Sequence, residues 1–259
     1  MTSKNILTIL FSFFLSQALF SQLPNFNPKN DVTLSINDDA GTNGLAVAYN
    51  AKKDLYYSVF AGNETYNIEV HNAAGVSLKT IQIGGDLRGF WYNESKNQLQ
   101  GILYGNTGSF SYDLDGEGYP IEIKITDFSY GMEEQNVAVF NNGIVYFANY
   151  DGVSSFKQGK KKLIKPKKLE LLESGLSDNI NFNGFIHTGL KGYEYGFYNY
   201  ETSELYLVNA KTGKTSATIQ IQIDDYFGEL DAFRISFCNN RLFLYNVEDR
   251  TWNGFNIIN

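Results

Sequence analysis

Three acidic residues far apart in the chain, Asp86, Glu134 and Asp231, are the ones whose chemistry could be covalent. Glycoside hydrolysis needs two carboxyl groups at a set separation, one to protonate the leaving oxygen and one to activate water or attack the sugar. Asn43, Arg88, Asn136, Asn183 and Arg234 add amides and guanidinium groups that can read a polyol or a carboxylate through hydrogen bonds. Tyr66 and Tyr150 supply flat faces on which a sugar ring or a cation can stack. A plainer role competes with each of these. Asn, Asp and Arg also cap strand ends and hold water in any β-rich protein. Whether these residues meet depends on the elements that carry them.

Other chemistries find less support. His71 and His187 are the only histidines and lack zinc-ligand spacing. Asp113-Leu-Asp115-Gly-Glu117-Gly has the acid density of a calcium loop, but it aligns with plain turns elsewhere in the chain, and a hairpin turn is the favoured reading. The single cysteine, Cys238, excludes an intramolecular disulfide and a cysteine-based metal cluster. No nucleophile elbow, phosphate loop or helical zinc motif is present. The sequence predicts neither a metal nor a cofactor.

The elements recur. The end of a first strand is marked by Tyr49-Asn50, then by Tyr92-Asn93, Phe140-Asn141, Thr188-Gly189 and Cys238-Asn239, roughly every 45 residues. A second strand follows each marker, such as Ile144 to Phe147 or Leu242 to Tyr245. A third ends in a turn such as Asn72 to Gly75 or Asn209 to Gly213, whose residue types supply positive φ. A fourth strand, such as Leu78 to Ile83 or Ala217 to Ile223, completes copies one to four. Copy five stops after its third strand, Trp252 to Ile258, while Asp31 to Ile36 precedes copy one and belongs to no copy. The lysine-rich piece from Lys157 to Asn181 reads as an extended turn or a single helical turn.

This pattern resembles the β-propeller superfamily. The resemblance lies in architecture, since the chain has no WD dipeptide, kelch glycine pair or sialidase Asp-box. It implies a five-bladed, all-β propeller in which Asp31 to Ile36 closes the last blade and removes the open edges of a linear array. An open β-sandwich or two small β domains is the alternative, and it leaves the period and the short fifth copy unexplained. The resemblance also implies a site where the innermost strands begin, around the channel. Five-bladed propellers are known to host glycoside hydrolysis, which is how Asp86, Glu134 and Asp231 would converge from different blades.

Strand direction alternates in such a meander, so charges can be sorted by end. Connections between copies carry Asp86, Asp127, Glu134, Asp224 and Asp231, and share their end with Asp151, Glu201 and Glu248. Lys52, Lys53, Lys96, Lys160, Lys191 and Arg241 fall at the opposite end. One rim should be acidic and the other basic, with the acidic, aromatic channel mouth attracting a cation, an amine or a basic partner.

The chain has 259 residues and a net charge of −7, with 43% apolar and 19% charged residues. A core is feasible, and an acidic chain suits neither nucleic acid nor anionic membranes. Lys4, the apolar run Ile6 to Leu15 and the small residues before Gln22 read as a signal peptide over 1–21, leaving 22–259 as one propeller domain. An export signal without disulfides suits a bacterial periplasm or exterior. The expectation is a periplasmic or secreted, monomeric binding or interaction module that recognises carbohydrate or another cell-envelope component. A propeller glycosidase and a scaffold for a basic protein partner are the alternatives.

Overall fold

The computed structural model describes residues 26–37, 43–61, 67–82, 85–132, 136–149, 151–173, 184–199, 201–221 and 233–258. The expected signal peptide over 1–21 lies outside them, as do Tyr66, Glu134, Tyr150, Asn183 and Asp231. Of Asn43 only the strand backbone is described, paired with Ala61.

The strands form five antiparallel sheets of four. Blade one is β2 (Asn43–Asn50), β3 (Leu55–Ala61), β4 (Ile68–Asn72) and β5 (Ser77–Ile81). Blade two is β6 (Leu87–Asn93), β7 (Gln98–Leu103), β8 (Ser109–Leu114) and β9 (Pro120–Thr126). Blade three is β10 (Val139–Asn141), β11 (Ile144–Asn149), β12 (Gly152–Lys157) and β13 (Leu163–Lys167). Blade four is β14 (Ile186–His187), β15 (Tyr195–Asn199), β16 (Glu204–Val208) and β17 (Thr215–Gln220). Blade five is β18 (Ile235–Cys238), β19 (Arg241–Asn246), β20 (Thr251–Asn256) and the N-terminal β1 (Lys29–Ser35).

The innermost strands β2, β6, β10, β14 and β18 touch one another in sequence around a ring, and β18 meets β2 to close it. The protein is a five-bladed β-propeller. β1 pairs with β20 from Lys29↔Asn256 to Ser35↔Thr251, as the short fifth copy requires. Its alternating burial puts Val32 and Leu34 inside. Neither a sandwich nor two separate β domains has this closed order.

Local chemistry explains the strand lengths. Asparagine repeatedly ends a strand and bends the next turn through its side-chain oxygen, which accepts from Lys52 N at Asn50, Asp151 N at Asn149, Glu201 N at Asn199 and Glu248 N at Asn246. Asn142-Gly143 and Asn239-Asn240 both have positive φ at both residues, the geometry of two-residue hairpins. Blades bury both faces, so β3 is buried along all seven residues.

Five apolar clusters fill the five blade interfaces. Leu55, Tyr57, Val59 and Val70 of blade one meet Leu99 and Tyr112 of blade two. Trp91 and Ile102 meet Val145 and Phe147 between blades two and three. Tyr195 and Phe197 face Ala148 and Val153 between three and four. Leu205 and Leu207 face Leu242 and Leu244 between four and five. Phe243, Tyr245 and Trp252 face Val47 and Tyr56 where the ring closes.

One stretch differs from expectation. Within Lys157 to Asn181 the expected single helical turn is the short helix α1 (Glu170–Glu173), but Leu163–Lys167 before it is the fourth strand of blade three and not part of a connection. Its Lys and Pro residues disguise it. At the outer edge of a blade, Pro166 need donate no ladder bond, and the register slips between Val153 and Ser155 opposite it.

Candidate functional site

The inner strands surround a central cavity of about 320 Å³. Its lining runs along Leu45–Tyr49, Phe90–Tyr92, Val137–Phe140, Phe185–Thr188 and Ile235–Asn240. These stretches extend to the strand ends from which the first hairpin of each blade departs, the end that carries Lys52, Lys96, Lys191 and Arg241.

At that end five rings occupy one equivalent position. Counting back from each hairpin, Tyr49 pairs with Tyr56, Tyr92 with Leu99, Phe140 with Val145, His187 with Tyr195 and Phe237 with Leu242. All five are half-buried and line the cavity. Two of them lean on the preceding blade: Phe140 stacks on Trp91 at 5.4 Å and 10°, and His187 lies 4.6 Å from the Tyr146 ring. Beside them, blades four and five add hydroxyls and amides to an otherwise apolar lining. Ser236 Oγ both accepts from Val47 N and donates to Val47 O, tying β18 to β2. Thr188 Oγ1 donates to Tyr193 O at 2.7 Å, and Asn239 Nδ2 donates to the Tyr56 hydroxyl at 2.8 Å.

Every titratable side chain in this lining is neutral near pH 7. Burial pulls His187 down to about 4, against the pull of Glu194 in the other direction. Its Nδ1 accepts from Gly189 N at 3.1 Å, so the ring proton sits on Nε2. Burial and a 2.5 Å bond to Asp54 push the Tyr49 hydroxyl up to about 12. Burial likewise raises Tyr92 and the Cys238 thiol. No Asp or Glu is among the described residues that line the cavity. What remains is aromatic faces, aliphatic side chains such as Leu45, Val137 and Ile235, the hydroxyls of Thr188 and Ser236, the amides of Asn239 and Asn240, and one neutral imidazole.

The opposite end holds the described part of the expected site. Asp86 and Arg88 come together there, but on each other: Arg88 Nη1 donates to Asp86 Oδ1 at 2.5 Å and to Leu87 O at 2.8 Å. The guanidinium lies 4.4 Å from the Tyr104 ring centre and 4.9 Å from that of Phe233, and Arg88 is 6% exposed. Phe233 leads into blade five, so this contact braces blade two against blade five across the start of blade one. Asn136 is buried and donates to Ala148 O of its own blade at 2.9 Å. Arg234 sits beside β18, its carbonyl accepting from Tyr245 N. None of these four lines the central cavity. The lining rings were nevertheless visible in sequence: Tyr49, Tyr92 and Phe140 are themselves the repeat markers, and His187 and Phe237 each stand one residue before the marker used.

The remaining candidates resolve simply. Asp115 Oδ1 accepts from the backbone of Glu117, Gly118 and Tyr119, which makes Asp113 to Gly118 a hairpin turn. His71 is fully buried against Ser58, with burial holding it near 4. Among the described residues no group of three His, Cys, Asp or Glu could hold a metal ion, and no helix is long and apolar enough to cross a membrane.

No protein-family model matches this chain, and no curated protein matches it. Among solved structures it is similar to a crystal structure of Myxococcus xanthus glutaminyl cyclase, with a TM-score of 0.53 over 88% of this chain and 95% of that one, at 9% identity. A chain of a nidogen/laminin complex is similar over 78% of this chain and 72% of its own, with a TM-score of 0.47 and 10% identity. At such identities the first likeness is one of fold alone.

Proposed function

We propose that this protein is an exported binding propeller whose central cavity takes a neutral sugar, at the end where the first hairpins leave the inner strands. The observation that carries this reading is the neutral lining: five rings from five blades, with the hydroxyls of Thr188 and Ser236 and the amides of Asn239 and Asn240, and no charge at physiological pH. A pyranose has apolar C–H faces that stack on aromatic rings and an equator of hydroxyls that pair with amides and hydroxyls. A charged ligand would leave water for a lining with no counter-charge, which costs several kcal/mol. A cavity of about 320 Å³ falls at the small end of ligand sites, a size suited to one or two sugar units. Export to a periplasm or cell exterior is consistent with the N-terminal residues and would put such a site among envelope glycans.

A glycan array tests the proposal. Neutral glycans should capture the protein, His187→Ala and Tyr92→Ala should each weaken capture about tenfold, and Asp86→Asn should leave it unchanged. Capture that depends on Asp86 and not on His187 would move the site to the other end of the channel. A blank array at high protein concentration would remove the carbohydrate reading.

A further inference from the structure

We infer a second ligand site in the cleft between blades two and three, one that takes a neutral polyhydroxylated ligand such as a segment of oligosaccharide. It shares only Trp91 with the central cavity and stands whether or not that cavity binds sugar.

The cleft arises from the side of blade two that faces blade three. Cross-strand register places Gln98 beside Asp113 and Glu122, Gln100 beside Ser111 and Lys124, and Ile102 beside Ser109 and Thr126, all on one face. The matching face of blade one is closed with Leu55, Tyr57, Val59, Ile68 and Val70. On blade two only Trp91 and Ile102 join the apolar cluster of the interface, and the outer half is polar. A cleft of about 360 Å³ remains, with Phe128, Tyr130 and Gln158 across from the strands. An interface that needed only to pack would be filled there, since each missing apolar contact costs stability.

The polar side chains of the cleft are already set in one orientation. Asp113 only accepts, so Gln98 must turn its amide nitrogen to it, at 2.7 Å. Gln98 then shows its oxygen to Gln100 Nε2 at 2.9 Å. Gln100 in turn shows its oxygen to Gln158 Nε2 at 2.6 Å and to Asn93 Nδ2 at 2.9 Å. Lys124, which lines the cleft together with Lys96, pairs with Asp113 and helps hold that carboxyl below its usual range. Gln98, Gln100 and Gln158 each keep a second N–H beyond these bonds, and the Gln98 and Gln158 oxygens a second lone pair, so the row offers both donors and acceptors to a run of sugar hydroxyls. Trp91 and Tyr130 add ring surface, and Trp91, 7% exposed, has an indole N–H without a partner. A ligand hydroxyl is a group that would satisfy it.

Titration calorimetry of the full-length mature protein with cellotetraose, maltotetraose and chitotetraose tests the site. At least one should bind saturably below about 10 mM. Ser111→Phe, which fills the cleft and leaves the carboxamide row intact, should weaken that binding at least about tenfold. Gln158→Leu, a change in a turn, is the second variant should Ser111→Phe fail to fold. His187→Ala should not alter the cleft-dependent binding, because His187 belongs to the central cavity. The inference is overturned if none of the three sugars binds. It is equally overturned if binding survives the cleft variants and is lost only with His187→Ala, an outcome that leaves the central cavity as the site.

Discussion

His187 and His71 link the acid sensitivity of this protein to single residues. Burial depresses both from 6.5 to about 4, so the unfolded chain takes up protons on them first as pH falls. The stability that they contribute is complete above pH 6.5 and is lost as pH falls toward 4. Carboxylates with lowered values, such as Asp113 and Glu194, add losses only once pH falls into the usual carboxylate range and below it. Chemical denaturation at a series of pH values should therefore show a falling midpoint already between pH 6.5 and about 5. His71→Asn should flatten that slope, and a slope unchanged by the substitution would contradict the assignment. At this scale the sequence was a partial guide. It named both histidines as poor metal ligands, but nothing in the letters told that one lines the channel and the other is sealed beside Ser58. Asp86 and Arg88 were singled out as ligand groups from their place in the repeat. Two residues apart at a strand start, they satisfy each other, and such a local pairing hides in any list of polar residues.

Turns decide how neighbouring blades meet. Gly75 ends the third strand of blade one with φ of 82°, and a Cβ there would lie 2.0 Å from the Thr33 carbonyl oxygen on the closing strand. Gly213 repeats the arrangement, with a Cβ 2.3 Å from the Lys168 oxygen. These turns between third and fourth strands thus lean on the preceding blade. Gly75→Ala should cost about 2 kcal/mol or more through clash and strained φ together, measured by thermal or urea unfolding. A loss below about 0.5 kcal/mol would mean that this turn does not seat on β1. Strands with apolar alternation and Asn-ended turns were legible because their chemistry is local. β13 was not, since an edge strand tolerates Lys and Pro that a central strand rejects. The polar face of blade two was also readable as Gln98-x-Gln100 and Ser109-x-Ser111-x-Asp113. Its meaning depended on which side faced the next blade.

The whole ring depends on its closure. Val32 and Leu34 of β1 are buried, and Leu34 sits opposite Trp252. A chain that begins after Asn37 would expose the edge of β20 with its unpaired backbone groups. Analytical ultracentrifugation should find that this truncated chain self-associates and melts at a lower temperature than the chain from Gln22. Two monodisperse species with equal melting temperatures would contradict closure by β1. Closure was legible in the sequence because the fifth copy lacks a strand and the N-terminus has one to spare. The site was less so: the repeat places residues around a channel without telling which end carries the five rings and which is braced by an Arg88–Phe233 contact. The central claim is that the channel offers a neutral, ring-lined cavity for an uncharged sugar. Its most direct test is calorimetric titration with neutral methyl hexosides of gluco, galacto and manno configuration, beside their amino-sugar and uronate counterparts at pH 7. At least one neutral hexoside should bind saturably, with its charged counterparts weaker by about tenfold or more. Equal or tighter binding of a charged counterpart, or no saturable binding by any neutral hexoside, would contradict it.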